Sequence, residues 1–335
     1  MRALIAGAAG FLGSHLCDRV RRDGIEVLGL DNFYTGRREN IRHLERDPGF
    51  SFFEHDITRP VSAAAAGPLD IIFNLACPAS PRAYQRDPLY TLETNYVGTR
   101  NLLELARENG AIILQASTSE VYGDPRIHPQ VESYFGNANC FGARGCYEEG
   151  KRVAETLMLE YARRYGIPIK VVRIFNTYGP RMDPEDGRII SSFIVQALRR
   201  ESITVFGDGS QTRSFCYVDD LVDGLVKMAA SEPTFTGPVN LGSQAELTVL
   251  ETARLIKEMT GSSSATIFKP LPPDDPKKRK PDISLAESKL GWRPRVTFAD
   301  GVARTIEYFE GTIGGNFQGL PMSCDHCTSS GSASD

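Results

Sequence analysis

Tyr147 and Lys151 form the pair of residues whose types and spacing could do chemistry in this chain. Residues at positions i and i+4 of a helix lie on one face, so the phenol and the ammonium are neighbours. A tyrosine with a pKa of about 10 is a poor base at neutral pH. A nearby ammonium and a positive nicotinamide ring both favour the phenolate and lower that pKa. Tyr147 could then take the proton of a substrate hydroxyl while the carbon gives up a hydride.

Three residues upstream add to this pair, since Thr118, Ser119 and Glu120 follow an apolar run directly. Thr118 is expected to hydrogen-bond the same substrate oxygen as Tyr147. Glu120 is one carboxylate more than plain dehydrogenation needs. As an anion it would raise the energy of a neighbouring substrate carboxylate, and as an acid it could deliver a proton. Both roles stay open, beside the alternative of a structural carboxylate at a strand end.

A glycine-rich turn opens the chain, because residues 7–13 read GAAGFLG between a predicted strand and a predicted helix. Gly7 permits a tight turn, Gly10 lets the backbone approach a pyrophosphate, and Gly13 lets helix and strand pack closely. Phosphates then lie at a helix N-terminus, where free N–H groups favour anions. The turn predicts a dinucleotide site.

Asp31 ends the second predicted strand, where its carboxylate would accept hydrogen bonds from the adenosine ribose and repel a 2′-phosphate. This favours NAD over NADP, although Arg37 and Arg38 nearby could soften the preference. Asp56, after the third strand, suits the adenine. The other predicted cofactor-binding residues are Phe11, Leu12, Asn32, Phe33, Thr35, Gly36, Ile57, Leu75, Ala76, Thr94, Tyr147, Lys151 and Thr177.

Short apolar runs alternate with longer amphipathic patterns through the first half of the chain. Near-continuous apolar runs are typical of parallel strands buried on both faces, and the alternation predicts a Rossmann-like, doubly wound α/β sheet. The predicted strands are 3–6, 27–30, 71–75, 112–116 and 171–175, and the predicted helices between them are 11–23, 88–108 and 148–166.

After Pro180 the pattern changes to helices separated by short strands and loops rich in Gly and Pro. We expect a smaller C-terminal substrate-binding lobe that crosses back to the sheet. Residues 1–180 would be mainly the NAD-binding domain, 181–310 mainly the substrate lobe, and 311–335 a disordered tail. The predicted helices of the lobe are 189–200, 219–230, 248–260 and 299–309.

Longer stretches resemble the extended short-chain dehydrogenases/reductases, and among them the UDP-glucuronate decarboxylases (UDP-xylose synthases). The stretches are STSEVYGDP at 117–125, CYEEGKRVAET at 146–156, RIFNTYGPRM at 173–182, GDGSQTRSF at 207–215 and DDPKKRKPDI at 274–283. The resemblance implies a tightly bound, recycled NAD, a UDP-sugar substrate, and a homodimer formed through the helices at 88–108 and 148–166.

The implied reaction is consistent with the residues. Oxidising C4 of a glucuronate makes a ketone β to the C6 carboxylate, and such an acid loses carbon dioxide readily. Reprotonation at C5 and return of the hydride give the pentose, so the nicotinamide is regenerated and can stay bound. The sequence leaves open whether UDP-xylose or the 4-keto intermediate is released.

The resemblance also brings Arg279 into the site as a catalytic residue. It lies in the basic run 277–280, which on its own would be read as a solvated loop. Asn176, Arg188, Gln211 and Arg213 would hold the UDP diphosphate, because arginine suits bidentate phosphate binding. The remaining expected substrate contacts are Val205 and Phe206 beside the uracil, with Tyr84, Glu120 and Arg279 near the sugar.

Two positions depart from the family pattern, since this chain carries Tyr90 and Glu93 where resembling decarboxylases usually carry lysines. Losing a cation beside an anionic sugar nucleotide leaves room for another nucleotide or a related sugar acid.

Three alternatives remain. A nucleotide-sugar 4-epimerase shares the base and the glycine turn but needs no acid beside C5, and a 4,6-dehydratase typically has Asp where this chain has Ser119. A non-enzymatic NAD-binding redox sensor would not need Thr118, Tyr147 and Lys151 together.

Composition narrows the remaining classes. A net charge of -4 and a pI near 5.9 give no global attraction to nucleic acid or to an anionic membrane. With no apolar run near the roughly 20 residues of a membrane span and no expected signal peptide, we expect a cytoplasmic protein. Seven cysteines, an odd number, suggest reduced thiols. The five histidines include no two at the spacing of metal ligands, which argues against a metal site. The Cys324/Cys327 pair falls in the predicted tail.

Overall fold

The computed structural model describes residues 1–272 and 274–317. The strands are β1 (Arg2–Ala6), β2 (Glu26–Asp31), β3 (Phe50–Glu54), β4 (Ile71–Asn74), β5 (Ile112–Thr118), β6 (Ile169–Ile174), β7 (Thr177–Tyr178), β8 (Ile203–Phe206), β9 (Thr212–Ser214), β10 (Cys216–Tyr217), β11 (Val239–Leu241), β12 (Glu246–Thr248), β13 (Thr266–Lys269) and β14 (Lys278–Arg279). The α-helices are α1 (Phe11–Arg22), α2 (Ala63–Ala66), α3 (Pro81–Arg86), α4 (Pro88–Glu93), α5 (Thr99–Asn109), α6 (Gly145–Tyr165), α7 (Ile189–Leu198), α8 (Val218–Ala229), α9 (Val249–Met259), α10 (Ser284–Leu290) and α11 (Phe298–Phe317).

A seven-stranded sheet of order β11-β6-β5-β4-β1-β2-β3 forms the centre of the molecule, and all its pairings are parallel. The predicted doubly wound parallel sheet is confirmed. The strand order reverses between β1 and β4, and ligands of such sheets bind in the crevice at the carboxyl ends of these strands.

Both faces of this sheet are covered. Along β1, Ala3 and Ile5 belong to one apolar cluster, whereas Leu4 and Ala6 belong to a second cluster on the other face. Successive side chains of a strand point to opposite faces, so a strand buried on both faces needs an unbroken apolar run. This is why the strands were visible in the sequence.

The region predicted as one helix over 88–108 is divided. A π-helical turn at Thr94–Gly98 separates α4 from α5. Within it, Asn95 donates to the Cys77 thiol at 3.1 Å and lies against Gly150 of α6, where a Cβ would come 2.9 Å from the Asn95 amide nitrogen. The π turn therefore lies in close contact with the helix that carries Tyr147.

The second half of the chain contributes a strand to the central sheet. β11 pairs with β6, and α8 packs beside α1, where Arg19 bonds Asp223 at 3.1 Å. β8 with β13, and β9 between β12 and β14, form small separate sheets. The division of the chain at residue 180 stays a prediction.

The sequence predicts a disordered tail from residue 311, and this prediction is wrong for residues 311–317 because α11 continues to Phe317. Ile306, Phe309 and Ile313 share one apolar face at helical spacing and pack against the larger cluster. Residues 318–335, with Cys324 and Cys327, lie outside the described residues. Within residues 1–272 and 274–317, no helix has the length and apolar character needed to cross a bilayer.

Candidate active site

A cavity of about 480 Å³, the first cavity, lies at the carboxyl ends of β1, β2 and β4. Most of the predicted cofactor-binding residues line it: Gly7, Gly10, Phe11, Leu12, Gly13, Asp31, Asn32, Thr35, Arg37, Asp56, Ile57, Leu75, Ala76 and Thr94.

The glycine turn has the geometry that a dinucleotide requires. Gly7 has φ +83°, and a Cβ there would approach the Ala76 backbone nitrogen to 3.0 Å. A Cβ on Gly13 would come 1.9 Å from the Gly7 carbonyl oxygen, so α1 can pack this close to β1 only with glycine there. Gly10 is the N-cap of α1 and lines the first cavity. An anion there meets free N–H groups, and these residues fit the pyrophosphate of NAD.

Asp31 lies at the end of β2 and accepts hydrogen bonds from the Ala9 N–H at 2.9 Å and the Phe33 N–H at 2.8 Å. Burial raises the pKa of Asp31, and these backbone donors oppose the rise. Phe33 and Gly36 lie against Asp31 rather than in the cavity wall, and a Cβ on Gly36 would meet its carboxylate at 2.6 Å. Arg37 lines the cavity, whereas Arg38 bonds Glu45 at 2.9 Å.

Tyr90 lies in the wall of the first cavity. Its hydroxyl donates to Asp56 at 2.8 Å and accepts from the Asn32 amide at 2.5 Å, while its ring lies 4.9 Å from that of Tyr34. Glu93 is exposed on α4, and neither cavity wall contains it in the described part of the chain. The two departures from the family pattern therefore do not face the sugar end of the site.

A second cavity of about 790 Å³ adjoins the first, and residues including Leu75, Cys77 and Arg188 line both. All six residues predicted to be catalytic line it: Thr118, Ser119, Glu120, Tyr147, Lys151 and Arg279. The predicted substrate residues Tyr84, Asn176, Arg188, Phe206, Gln211 and Arg213 line it too, together with Thr177, which was predicted to touch the cofactor.

Val205 is placed differently from its prediction. Strand alternation turns its side chain into the buried core, while Thr204 and Phe206 line the second cavity. Only the backbone of Val205 is left to contact a bound base.

Tyr147 and Lys151 lie on the first turns of α6. The Lys151 ammonium donates to the Ala116 carbonyl at 2.9 Å and lies 5.9 Å from the centroid of the Tyr147 ring, and Thr118 hydrogen-bonds the Tyr147 hydroxyl. Burial, followed by the nearby Cys77 and Glu120, raises the pKa of Tyr147. The side chains around Tyr147 therefore do not produce the expected lowering of its pKa.

Glu120 lies in a short 3₁₀ turn, Ser119–Tyr122, that follows β5. Its carboxylate accepts from Arg144 through Nη2 at 2.8 Å and Nε at 3.1 Å, and Arg279 Nη1 lies 3.4 Å away. Burial alone would raise the pKa of Glu120, but Arg279 and Arg144 outweigh it and lower the pKa. The surrounding charges keep Glu120 an anion.

Arg279 is buried, so the interpretation of its basic run as a solvated loop is wrong for this residue. β14 pairs with β9 and carries Arg279 to the cavity, where its Nη1 donates to the Asn176 side chain at 3.1 Å. Its Nη2 is buried and has no hydrogen-bond partner among the described residues. That nitrogen is a donor available to a bound molecule.

The sequence reasoning missed several charged residues of this cavity, among them Arg144 and Asp275. The Asp275 carboxylate accepts from Arg144 at 3.0 Å and from Arg213 at 2.7 Å, while Arg188 pairs with Asp186. The position of Arg144, three residues before Tyr147 in CYEEGK, was the available signal.

Comparison with known proteins agrees with this geometry. The profile described as "Epimerase: NAD dependent epimerase/dehydratase family" matches residues 3–242. UDP-glucuronic acid decarboxylase 3 of Arabidopsis thaliana is 51% identical over 310 residues, covering 92% of this chain and 89% of that protein. UDP-glucuronic acid decarboxylase 1 of Danio rerio is 50% identical over 308 residues, covering 92% of this chain and 72% of that protein.

Solved structures share the fold. UDP-glucuronic acid 4-epimerase from Bacillus cereus, in complex with UDP-glucuronic acid and NAD, aligns with a TM-score of 0.86 and 29% identity over 93% of this chain and 100% of its own. UDP-glucose 4-epimerase from Thermotoga maritima, with UDP-glucose, gives a TM-score of 0.84 and 30% identity at the same coverages. The chain therefore belongs to the NAD dependent epimerase/dehydratase family of extended short-chain dehydrogenases/reductases, and within it to the UDP-glucuronic acid decarboxylases.

Proposed function

We propose that this protein converts UDP-glucuronate to UDP-xylose with a tightly bound NAD that is recycled in each turnover. One observation carries the proposal: the Glu120–Arg279 pair lies in the same cavity as Tyr147, Thr118 and Lys151. Every reaction of this family needs a base such as Tyr147 to deprotonate a sugar hydroxyl. The buried Glu120–Arg279 pair is an additional feature, and it would act on a carboxylate of the substrate. The decarboxylase relatives at about half identity support the same reaction.

Oxidation at C4 is assigned to Tyr147 as the base, with Thr118 bonded to the same oxygen and Lys151 beside the ring. NAD, held by the glycine turn and Asp31 in the first cavity, would provide the hydride acceptor for C4 and the hydride donor for the final reduction. Once Tyr147 holds the C4 proton, its hydroxyl and that of Thr118 can both donate to the C4 oxygen.

Carbon dioxide loss follows from the resulting β-keto acid. The C5–C6 bond breaks and its electron pair moves to the C4 oxygen as an enolate. C5 then takes a proton from the solvent as the C4 ketone re-forms. Arg279 offers its unpartnered Nη2 to the C6 carboxylate, whereas the Glu120 anion disfavours that carboxylate and so favours its loss as neutral carbon dioxide. Glu120 acts as an electrostatic group in this proposal.

The UDP end is assigned to Asn176, Gln211, Arg213 and Arg188, with Phe206 beside the uracil. Arg213 and Arg188 are paired with Asp275 and Asp186, and both would exchange these carboxylates for phosphate oxygens. Arginine forms strong bidentate bonds with carboxylates and with phosphates, so each arginine keeps its hydrogen bonds in the exchange.

We also propose a homodimer formed through α4, the π turn and α6. These elements expose large apolar side chains that a partner copy would cover: Leu89 is 73% exposed, Leu92 37%, Tyr96 44% and Leu159 41%. Sedimentation of the purified protein tests this part of the proposal.

The reaction is tested by incubating purified protein with UDP-glucuronate without added NAD, and following products by mass spectrometry and proton NMR. Loss of carbon dioxide with accumulation of UDP-xylose supports decarboxylation, hydride return and a retained cofactor together. A 4-keto pentose product released with NADH would refute the return step.

A 4-epimerase is the second candidate, because the Bacillus cereus neighbour named for UDP-glucuronic acid is one. Product of unchanged mass with inverted C4 would make this chain an epimerase. No turnover even with NAD supplied would point to a different sugar nucleotide.

A further inference from the structure

Arg144 lines the second cavity and contacts three carboxylates, although the proposed reaction assigns it no role. Its side chain is 11% exposed and lies 2.8 Å from Glu120, 3.0 Å from Asp275 and 3.8 Å from Glu148. A buried guanidinium with this many partners is held in one orientation.

These contacts join three separate parts of the chain. Arg144 is the N-cap residue of α6, so it lies one turn before the base Tyr147. Glu120 follows β5 of the central sheet, and Asp275 lies in the loop before β14 of the C-terminal half. One side chain therefore links the catalytic helix to both walls of the second cavity.

We propose that Arg144 is a positioning residue that fixes the Glu120 carboxylate in the wall of the second cavity and keeps it charged, and that Asp275 orients Arg144 for this task. Asp275 accepts a hydrogen bond from Arg144 Nη1. This contact orients the guanidinium so that its Nε and Nη2 edge faces Glu120. The planar fork can serve two carboxylates at once, whereas a lysine is a single point charge.

Arg144 makes the closer contact of the two cations that pair with Glu120. Arg279, from β14, contacts Glu120 at 3.4 Å through one nitrogen, while Arg144 contacts it through two nitrogens at shorter range. Glu148 on the same helix also faces Glu120, but its pKa is raised to about 7, so it is uncharged over the range in which Glu120 titrates. The other charged or titratable groups facing Glu120 are Arg213 of β9, Arg188 before α7, Tyr84 of α3 and Tyr147 of α6.

The first test measures the charge of Glu120 directly. Protein labelled with ¹³C-glutamate is titrated by carboxyl NMR, and the Glu120 resonance is assigned from Glu120→Gln. In Arg144→Gln the Glu120 midpoint is expected to rise by about one pH unit or more. Arg144→Lys is expected to fall between this variant and wild type, and Asp275→Asn to shift in the same direction by less.

Arg163→Gln is the matched control, because Arg163 lies on the same helix and forms an exposed pair with Glu160 at 2.7 Å. It removes an arginine from α6 without touching the cavity and is expected to leave the Glu120 midpoint unchanged. Should Arg144→Gln fail to fold, Arg144→Lys and Asp275→Asn provide the same comparison. Wild-type midpoints in all folded variants would overturn the inference.

The second test rests on the proposed function. The Arg144 side chain does not bond Tyr147 or Lys151, so C4 oxidation should persist in Arg144→Lys while carbon dioxide release slows at least tenfold. Absorbance at 340 nm in a single turnover should then rise and decay slowly. An equal slowing of both phases would contradict a role through Glu120. Wild-type protein that releases no carbon dioxide would refute the proposed function alone, since the titration decides the inference without substrate.

Discussion

Tyr84 stacks on Tyr147, with ring centroids 5.0 Å apart and planes only 6° from parallel. Stacking of this kind adds about 0.5–1.5 kcal/mol to the burial of the rings and fixes the orientation of the phenol. The Tyr84 hydroxyl is buried and has no hydrogen-bond partner among the described residues, although it belongs to the second cavity. The ring thus positions the proposed base, and the hydroxyl is left for the substrate.

The two functions of Tyr84 can be separated by substitution. Tyr84→Phe keeps the stack, so kcat should stay within about threefold of wild type while KM rises about threefold to tenfold from one lost hydrogen bond. Tyr84→Leu loses the stack as well, and kcat should fall at least about tenfold. Steady-state kinetics with UDP-glucuronate measure both. Equal kcat in the two variants would contradict a positioning role for the ring.

Tyr90 should act on the cofactor rather than on the sugar nucleotide. Its hydroxyl bonds Asp56 and Asn32, both of which line the first cavity. Tyr90→Phe removes these two bonds, each worth about 1 kcal/mol, so NAD affinity should fall about tenfold or more.

The measurement for Tyr90 is the NAD content of protein after exhaustive dialysis, with Tyr96→Phe as control because Tyr96 is 44% exposed on the neighbouring π turn. KM for UDP-glucuronate should be unchanged at saturating NAD. A raised KM with normal NAD retention would return position 90 to the substrate.

The fold was predictable because its signals are local. Unbroken apolar runs marked the strands, and the spacing of Gly7, Gly10 and Gly13 marked the turn, since each follows from short-range geometry. Carboxyl ends of parallel strands meet at one edge of a sheet, so Asp31 and Thr118 could be placed at the site from sequence alone.

The features that the sequence did not predict are of two kinds. Some depend on contacts between residues far apart in the chain, and others follow from a periodicity that was overlooked. Asp275 meets Arg144 across 131 residues of sequence, and no local pattern records that contact. The π turn at Thr94–Gly98 likewise has no simple sequence signal. By contrast, the alternation of Val205 and Phe206 and the spacing of Ile306, Phe309 and Ile313 could have been read, because both follow from the period of a strand or helix.

Glu148 gives the protein a pH-dependent stability. Burial and then the charge of Glu120 raise the pKa of Glu148 from 4.5 to about 7. Between these values the unfolded chain releases the proton while the folded protein keeps it. The contribution of Glu148 to the stability therefore falls as pH rises from 4.5 to about 7 and is constant above.

Glu148→Gln removes this titration, since a neutral amide replaces a carboxyl that the folded protein prefers protonated. The free energy of unfolding of the variant minus that of wild type should be roughly 2–3 kcal/mol more positive at pH 8 than at pH 5. Urea unfolding at the two pH values measures the difference, with the exposed Glu160→Gln as control. A difference independent of pH would mean that Glu148 ionises as freely in the folded protein as in the unfolded chain.

Lys170 should be the strongest single determinant of stability among the lysines of the central sheet and its connections. It is fully buried on β6, and its ammonium donates to the carbonyls of Glu232 at 2.6 Å, Phe235 at 2.8 Å and Ser231 at 3.2 Å. These carbonyls belong to the chain that leaves α8 and returns to β11, so Lys170 ties that connection to the sheet. Burial lowers the pKa of Lys170, yet the carbonyl oxygens solvate its charge.

Lys170→Met keeps the length of the side chain but leaves these carbonyls without a donor, and each buried unpaired group costs about 1–3 kcal/mol. The variant should lose about 3–5 kcal/mol in urea unfolding, whereas the activity of the remaining folded protein should be unchanged because Lys170 lines neither cavity among the described residues. Lys227→Met is the control, since Lys227 is partly exposed and donates to the single carbonyl of Gly291 at 3.0 Å. Equal losses in the two variants would show that the carbonyls released by Lys170 find water, and that the connection between α8 and β11 does not depend on its ammonium.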